Sequence, residues 1–144
     1  MVLATDGVAD GALVVAAVHA LLIVPAALRG VDLISLVRFV LSGMFGWIIL
    51  SGLIYLIGRH GLDGYGSFQG VMAASAIAYP VLLASLILEP FVVLFWAQMI
   101  VSAWLVLCLW VATRVALDLA RDKAAVAVVG GWVAWVIVSA LFRF

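Results

Sequence analysis

The sequence contains few charged side chains, and those that it has cancel. Charged residues make up 10% of the 144 residues, with seven Lys and Arg against seven Asp and Glu. A chain without an excess of positive charge offers no basic field to the backbone of a nucleic acid. Nucleic-acid binding is therefore set aside as a function.

Cysteine is almost absent as well. Cys108 is the single cysteine, so the chain cannot close an internal disulfide or supply a cluster of thiolates to zinc. It lies inside an apolar run, where a free cysteine behaves as a small hydrophobic residue. We expect Cys108 to pack within the protein or against lipid.

Motifs of catalysis are also missing. The chain contains no G-x-x-x-x-G-K-[ST], H-E-x-x-H or G-x-S-x-G motif and no paired carboxylates. No motif indicates a metal or a cofactor, so we expect a non-enzymatic protein whose bound molecules are lipids.

Hydrophobic residues, in contrast, make up 69% of the chain. Five stretches reach the length of about 20 apolar residues that a membrane-spanning helix needs. None alternates as a barrel strand does, and backbone groups in hydrocarbon must pair within their own segment. We therefore predict one all-α domain, a polytopic integral membrane bundle of about five transmembrane helices. The predicted spans are 11–28, 33–57, 67–88, 91–113 and 124–142.

The connections between these spans are short, and the tightest is Glu89-Pro90. The first span is short and contains His19 and Pro25, so an alternative is that it lies partly in the membrane interface. The first ten residues hold two aspartates and no Lys or Arg, unlike a secretory signal peptide. We expect the first apolar segment to be retained.

Orientation follows from the Lys and Arg residues near the ends of the spans. With a cytoplasmic N-terminus, the outer side holds Arg29, Arg38 and Arg143, and the inner side holds Arg59, Arg114, Arg121 and Lys123. The basic residues of the fourth connection favour the N-terminus inside.

Small residues crowd the second and third spans at helical spacing. Membrane helices associate through close packing, which residues with small side chains at i and i+4 permit. This spacing predicts a helix-packing seam made of Ser42, Gly46, Gly70, Ala74 and Ala78. The seam packs either inside one subunit or against another membrane protein or a second copy.

A proline interrupts the third span. Pro80 has no N–H, and its ring clashes with the preceding turn, so we predict a kink or a local opening of the helix near Ala76. Tyr79 is placed to offer its hydroxyl group to a neighbouring helix.

His19 lies near the middle of the first span, and imidazole chemistry suits proton relay or metal ligation. It has no second His or carboxylate at i±3 or i±4, which either role requires. We therefore interpret His19 as a neutral histidine that is hydrogen-bonded to another helix or to a bound cofactor. Gln98 in the fourth span is the predicted partner.

The order of these features resembles the Yip1-domain family in its short prokaryotic form, over residues 33–142. The span FVLSGMFGWIILSGLIYLIGRHG is followed by GYGSFQ, by AIAYPVLL, by the Trp-rich FWAQMIVSAWLVLCLWVATRVA and by Lys123-Ala124. The resemblance implies a five-span protein of a prokaryotic cytoplasmic membrane with a cytoplasmic N-terminus. Eukaryotic members are associated with trafficking and small GTPases through a long N-terminal region. About ten residues precede the first span here, so no GTPase role is implied, and the family has no catalytic residues to map.

Three functional hypotheses follow. The first is a non-enzymatic membrane scaffold or accessory subunit that packs against lipids, other membrane proteins or a larger complex. The alternative is a small channel or transporter with a polar path near His19, Tyr79 and Gln98. The third hypothesis is a subunit that binds a pigment or haem through His19.

Overall fold

The computed structural model describes the backbone of residues 3–88 and 94–142. Within these residues the chain forms helices and turns without a strand, and five helical segments are long and apolar enough to cross a membrane. The prediction of an all-α integral membrane bundle is therefore confirmed. The Glu89-Pro90 connection, the start of the predicted span 91–113 and Arg143 lie outside the described residues. The five spans are Gly7–Leu28, Leu33–Gly61, Phe68–Leu88, Phe95–Leu117 and Arg121–Leu141.

Seven α-helices build these spans, and two irregular turns extend or join them. The α-helices are α1 (Leu3–Leu22), α2 (Val24–Leu28), α3 (Leu33–Leu56), α4 (Phe68–Ala76), α5 (Ala84–Leu88), α6 (Leu94–Leu117) and α7 (Arg121–Phe142). A π-helical turn, Ile57–Gly61, extends α3, and a 3-10 helix, Tyr79–Leu83, joins α4 to α5. The first span is long enough to cross a membrane because its helix begins before residue 11, which is the predicted start of the span.

Two helices begin at polar side chains that satisfy their free N–H groups. Asp32 accepts a hydrogen bond from the Ser35 backbone N–H at 2.9 Å and another from the Ser35 hydroxyl at 2.7 Å. Ser67 Oγ accepts from the backbone N–H of Gly70 at 3.1 Å, at the start of α4. The two hydrogen bonds from Ser35 hold the pKa of the Asp32 carboxyl below its usual range.

The third span is interrupted at Pro80. The α-helix ends at Ala76, four residues before the proline, and the Ala78 N–H then donates to the Ser75 carbonyl at 2.9 Å. This three-residue spacing tightens the chain into the 3-10 helix, which carries Pro80 at its start. The tightening brings the side chain of Tyr79 into the interior, where it is buried.

The interior consists of two apolar clusters. One lies between α3, α6 and α7 around Ile54, Leu109 and Val128, and the other surrounds Trp47 and Val15 between α1, α3 and α4. Both place large side chains between the helices, as close packing in a membrane bundle requires.

At one end of the bundle, the loop 62–67 packs against the turn between α6 and α7. The Tyr65 N–H donates to the Leu117 carbonyl at 2.9 Å, and Lys123 Nζ donates to the Leu62 carbonyl at 3.1 Å. A Cβ at Gly66 would overlap the carbonyl oxygen of Ala116. The glycines in this loop therefore allow the two connections to touch.

Candidate intramembrane site

A cavity of about 360 Å³ lies between the helices, and all five spans contribute to its lining. We call it the His19 cavity. Most of its polar side chains lie well inside their spans, at a depth where water is scarce. Its lining consists of His19, Phe39, Ser42, Gly43, Gly46, Leu50, Tyr79, Leu82, Ser102, Leu105, Trp132 and Trp135.

The hydrogen bond of His19 determines which of its ring nitrogens is available. Nδ1 lies 2.8 Å from the carbonyl oxygen of Val15, one turn earlier in α1. A carbonyl only accepts, so Nδ1 carries the hydrogen, and in the neutral ring Nε2 has the free lone pair. His19 therefore offers an acceptor rather than a donor to anything in the cavity.

The His19 ring is held on several sides. Its centroid lies 5.8 Å from that of Phe39 and 5.9 Å from that of Tyr79. Gly43 packs so closely that a Cβ there would overlap the ring. Together with the hydrogen bond to Val15, these neighbours hold the imidazole in its place.

Tyr79 is the second polar group of the cavity and is only 6% exposed. In the part of the chain that the structure describes, its hydroxyl and His19 Nε2 make no hydrogen bond, while no fully enclosed side-chain nitrogen or oxygen lacks a partner. Both residues line the cavity. A phenol and an imidazole thus belong to the same site.

Gln98 does not join them. The sequence predicted it as a partner for His19, but it lies exposed on α6 and does not line the cavity. The physical reason is helix rotation, because α6 turns Ala97 and Val101 inwards and carries Gln98 to the outside. Ser102 is the polar residue of α6 that reaches the cavity.

The predicted packing seam is divided between two places. Ser42 and Gly46 line the His19 cavity. Ala74 and Ala78 line a groove of about 560 Å³ between α4 and α6, which we call the α4–α6 groove. A Cβ at Gly70 would meet only Ser67 Oγ, at 3.3 Å. The five residues thus do not form one continuous contact.

Sequence reasoning missed the glycines through which α1 approaches α4. A Cβ at Gly7 would lie 3.5 Å from Ala73 Cβ, and one at Gly11 would lie 3.0 Å from Ala76 Cβ. The signal was present, because Gly7 and Gly11 have the i, i+4 spacing that lets helices approach. The predicted start of the first span at residue 11 hid it.

A buried hydroxyl cluster was also missed. Ser75 Oγ donates to the Met72 carbonyl at 3.0 Å, lies 2.8 Å from Ser51 Oγ and accepts from Trp47 Nε1 at 2.9 Å. Every bond closes within the protein, so the cluster joins α3 to α4 and has a structural role.

No metal site is visible, since among residues 3–88 and 94–142 no group of three or more His, Cys, Asp or Glu side chains is placed to hold an ion. Comparison of the chain with models of protein families, with curated proteins and with solved structures finds no match. The resemblance to the Yip1-domain family therefore stays a prediction. A proposal for the function of this protein has to start from the residues that line the His19 cavity.

Proposed function

We propose that this protein is a non-enzymatic integral membrane protein that holds a small amphiphilic molecule in the His19 cavity. The observation that carries the proposal is the convergence of polar side chains on one cavity, with His19, Ser42, Tyr79, Ser102 and Trp132 coming from five different spans. Polar groups are costly in a membrane interior and mark functional sites. Ligand sites combine mostly apolar walls with a few convergent polar groups, as this one does.

The size and walls of the cavity indicate the kind of molecule. Its volume of about 360 Å³ is at the lower end of the range for ligand pockets, roughly 300–1,000 Å³. Phe39, Trp132 and Trp135 provide aromatic surface, which stacks on rings and on flat head groups. A molecule with one ring-sized head group and an apolar tail in the lipid fits this description.

The proposal widens the hypothesis of a pigment- or haem-binding subunit and is compatible with an accessory role in a larger membrane complex. It gives less support to the transport hypothesis, because that path needed Gln98, which lies outside the cavity.

Native mass spectrometry of the protein, extracted from its membrane in mild detergent, tests the proposal. We expect the wild type to retain a small molecule and Gly46→Leu to lose it. A Cβ at Gly46 would lie 3.5 Å from Trp135 Nε1, so a leucine side chain fills the cavity. Ala74→Leu in the α4–α6 groove is the matched control and should retain the molecule. Wild-type protein without a bound molecule, or equal retention by Gly46→Leu, would contradict the proposal.

Self-association through the α4–α6 groove is the second candidate. Ala74 and Ala78 leave space beside Trp104, which is 52% exposed, and beside the half-buried Cys108. Small residues next to a large aromatic side chain suit the approach of a helix from a second copy. Here Ala74→Leu, rather than Gly46→Leu, should disrupt assembly.

The single cysteine makes this second candidate testable without further engineering. If a second copy occupies the groove, a short bis-maleimide linker in native membranes joins two chains through Cys108. Cys108→Ser is the control and should give no covalently linked dimer. Absence of the linked dimer, together with a monomeric mass in detergent, would exclude the groove as a self-association surface.

A further inference from the structure

We infer that the molecule held in the His19 cavity is a neutral ring amphiphile with a hydroxyl group, which donates its hydrogen to His19 Nε2. The class includes alkylphenols and quinols. The inference rests on the proposed function, because it names the chemistry of the ligand for the same cavity. It follows from the hydrogen-bonding state of His19, from the Tyr79 hydroxyl, which bonds to no residue that the structure describes, and from the absence of charge in the cavity lining.

The acceptor role of Nε2 is fixed by the protein. Nδ1 donates to the Val15 carbonyl at 2.8 Å, and a switch of tautomer would lose this bond inside the membrane, where water cannot replace it. Gly43 also packs directly against the ring. The lone pair of Nε2 therefore selects a partner with a hydrogen to donate.

Tyr79 is the second polar group that a ligand hydroxyl would meet in the cavity. Its side chain is 6% exposed, and its hydroxyl makes no hydrogen bond to any described residue. An unpaired phenol in an apolar interior costs free energy. A hydroxyl group on the ligand satisfies both sites at once, since it donates through its hydrogen and accepts through its oxygen lone pairs.

Charge on the ligand is disfavoured. The cavity lining contains no Lys, Arg, Asp or Glu side chain, so a carboxylate or an ammonium group would be unpaired at the middle of the membrane. The rings of Phe39, Trp132 and Trp135 in the same lining match an uncharged ring.

A pair of probes that differ by the hydrogen-bond donor and one methyl group tests the inference, and the variants below separate the two effects. 4-Butylphenol has the hydroxyl group, and 4-butylanisole has the same ring and tail with a methyl ether. Isothermal titration of the full chain in nanodiscs, with empty nanodiscs as background, gives both affinities. We expect the anisole to bind roughly tenfold more weakly, as the loss of one buried hydrogen bond implies.

Two variants test the roles of the two residues. His19→Phe keeps a ring and removes the acceptor, so the affinity for the phenol should fall to that for the anisole. Tyr79→Phe removes one oxygen atom and should weaken both probes, because the ether oxygen of the anisole also accepts a hydrogen bond. This gives a second readout of the cavity if His19→Phe does not fold. Gln98→Leu, on the exposed face of α6, is the control and should leave both affinities unchanged.

The outcomes separate the two proposals. Equal binding of phenol and anisole to the wild type, or undiminished discrimination in His19→Phe, overturns the hydroxyl inference and leaves ligand binding in place. Failure of both probes to bind above background, in a protein that also retains no molecule on extraction, overturns the proposed function with it.

Discussion

At the scale of single residues, Gly43 determines how His19 is held. The imidazole lies against the α-carbon of Gly43, in the space that any other side chain would occupy. The ring is also hydrogen-bonded to Val15 and lies beside Phe39 and Tyr79, so it is held on the sides that do not face the cavity.

Replacement of Gly43 by alanine should therefore be costly. We expect Gly43→Ala to lower the free energy of unfolding by about 1–3 kcal/mol, as overpacking of a filled interior does. Titration with SDS from mild-detergent micelles, followed by circular dichroism, measures the change. Gly46→Ala is the control and should be tolerated, since its Cβ would meet Trp135 at 3.5 Å. Equal stability of the two variants would show that the His19 ring is free to move.

Ser75 has a comparable role in the hydroxyl cluster. We expect Ser75→Ala to cost about 1–3 kcal/mol, because it leaves the buried Trp47 Nε1–H without its acceptor. Ser51→Ala should cost less, since the bond from Trp47 to Ser75 survives. The same SDS titration compares the two. A larger loss for Ser51→Ala would contradict the assignment of Ser75 as the group that holds the cluster together.

At the scale of elements, the start of α3 depends on one carboxylate. Asp32 lies outside the spans and is exposed. Hydrogen bonds from Ser35 lower its pKa, so the cap stabilises the helix above the ordinary Asp pKa. This contribution is lost as the pH falls through the lowered pKa of the folded state.

Acid should therefore loosen the first turn of α3. We expect the protection of the Ser35 amide against hydrogen exchange to be constant near neutral pH and to fall in the acid range below the usual Asp pKa. NMR in detergent micelles measures it. Asp32→Asn provides the control, because asparagine also caps helices and does not titrate. An unchanged protection factor in acid for the wild type would exclude the carboxylate as the cap.

Several elements could be predicted from local chemistry. The end of α4 at Ala76 follows from the missing N–H and the ring of Pro80, and the five spans follow from the length of the apolar runs. The start of the first span could not be placed, because Asp6 and Asp10 lower the hydropathy of residues that are nevertheless helical. Composition does not reveal that Gly7 and Gly11 continue the helix against Ala73 and Ala76.

The candidate site was harder to predict than the fold. His19 and Tyr79 could be chosen by their chemistry, and the structure places both at one cavity. Gln98 could not be excluded, because in an apolar helix the sequence does not show which face turns inwards. Ser102 and Trp132 lie 30 residues apart and meet only in the assembled bundle. Whether these two residues line the cavity depends on helix rotation and tilt, which hydropathy does not encode.

At the scale of the whole molecule, five spans place the N-terminus and the loop 62–67 on one side of the membrane. The same side holds Arg59, Arg114, Arg121 and Lys123, while Arg29 lies at the opposite end. The positive-inside rule favours the cytoplasmic side for the end with the four basic residues. This orientation remains a proposal, and the exposed residues at each end provide the means to test it.

Cysteine labelling tests both the orientation and the number of spans. In a Cys108→Ser background, we expect Arg29→Cys to react with a membrane-impermeant maleimide on intact cells. Tyr65→Cys, whose position is 80% exposed, should react only after permeabilisation. The reverse pattern would invert the orientation. Labelling of both positions from the same side would contradict the second span.

The contact between the loop 62–67 and the α6–α7 turn also has a consequence for biosynthesis. Lys123 follows its acceptor residue Leu62 by 61 positions, and Gly66 meets Ala116 only after the fourth span has formed. The first three spans therefore enter the bilayer before this end of the molecule can close. A ribosome that pauses between the third and fourth spans would leave an inserted intermediate whose loop 62–67 is still open to proteases on its side of the membrane. Closure of the loop requires the later residues Ala116 and Lys123.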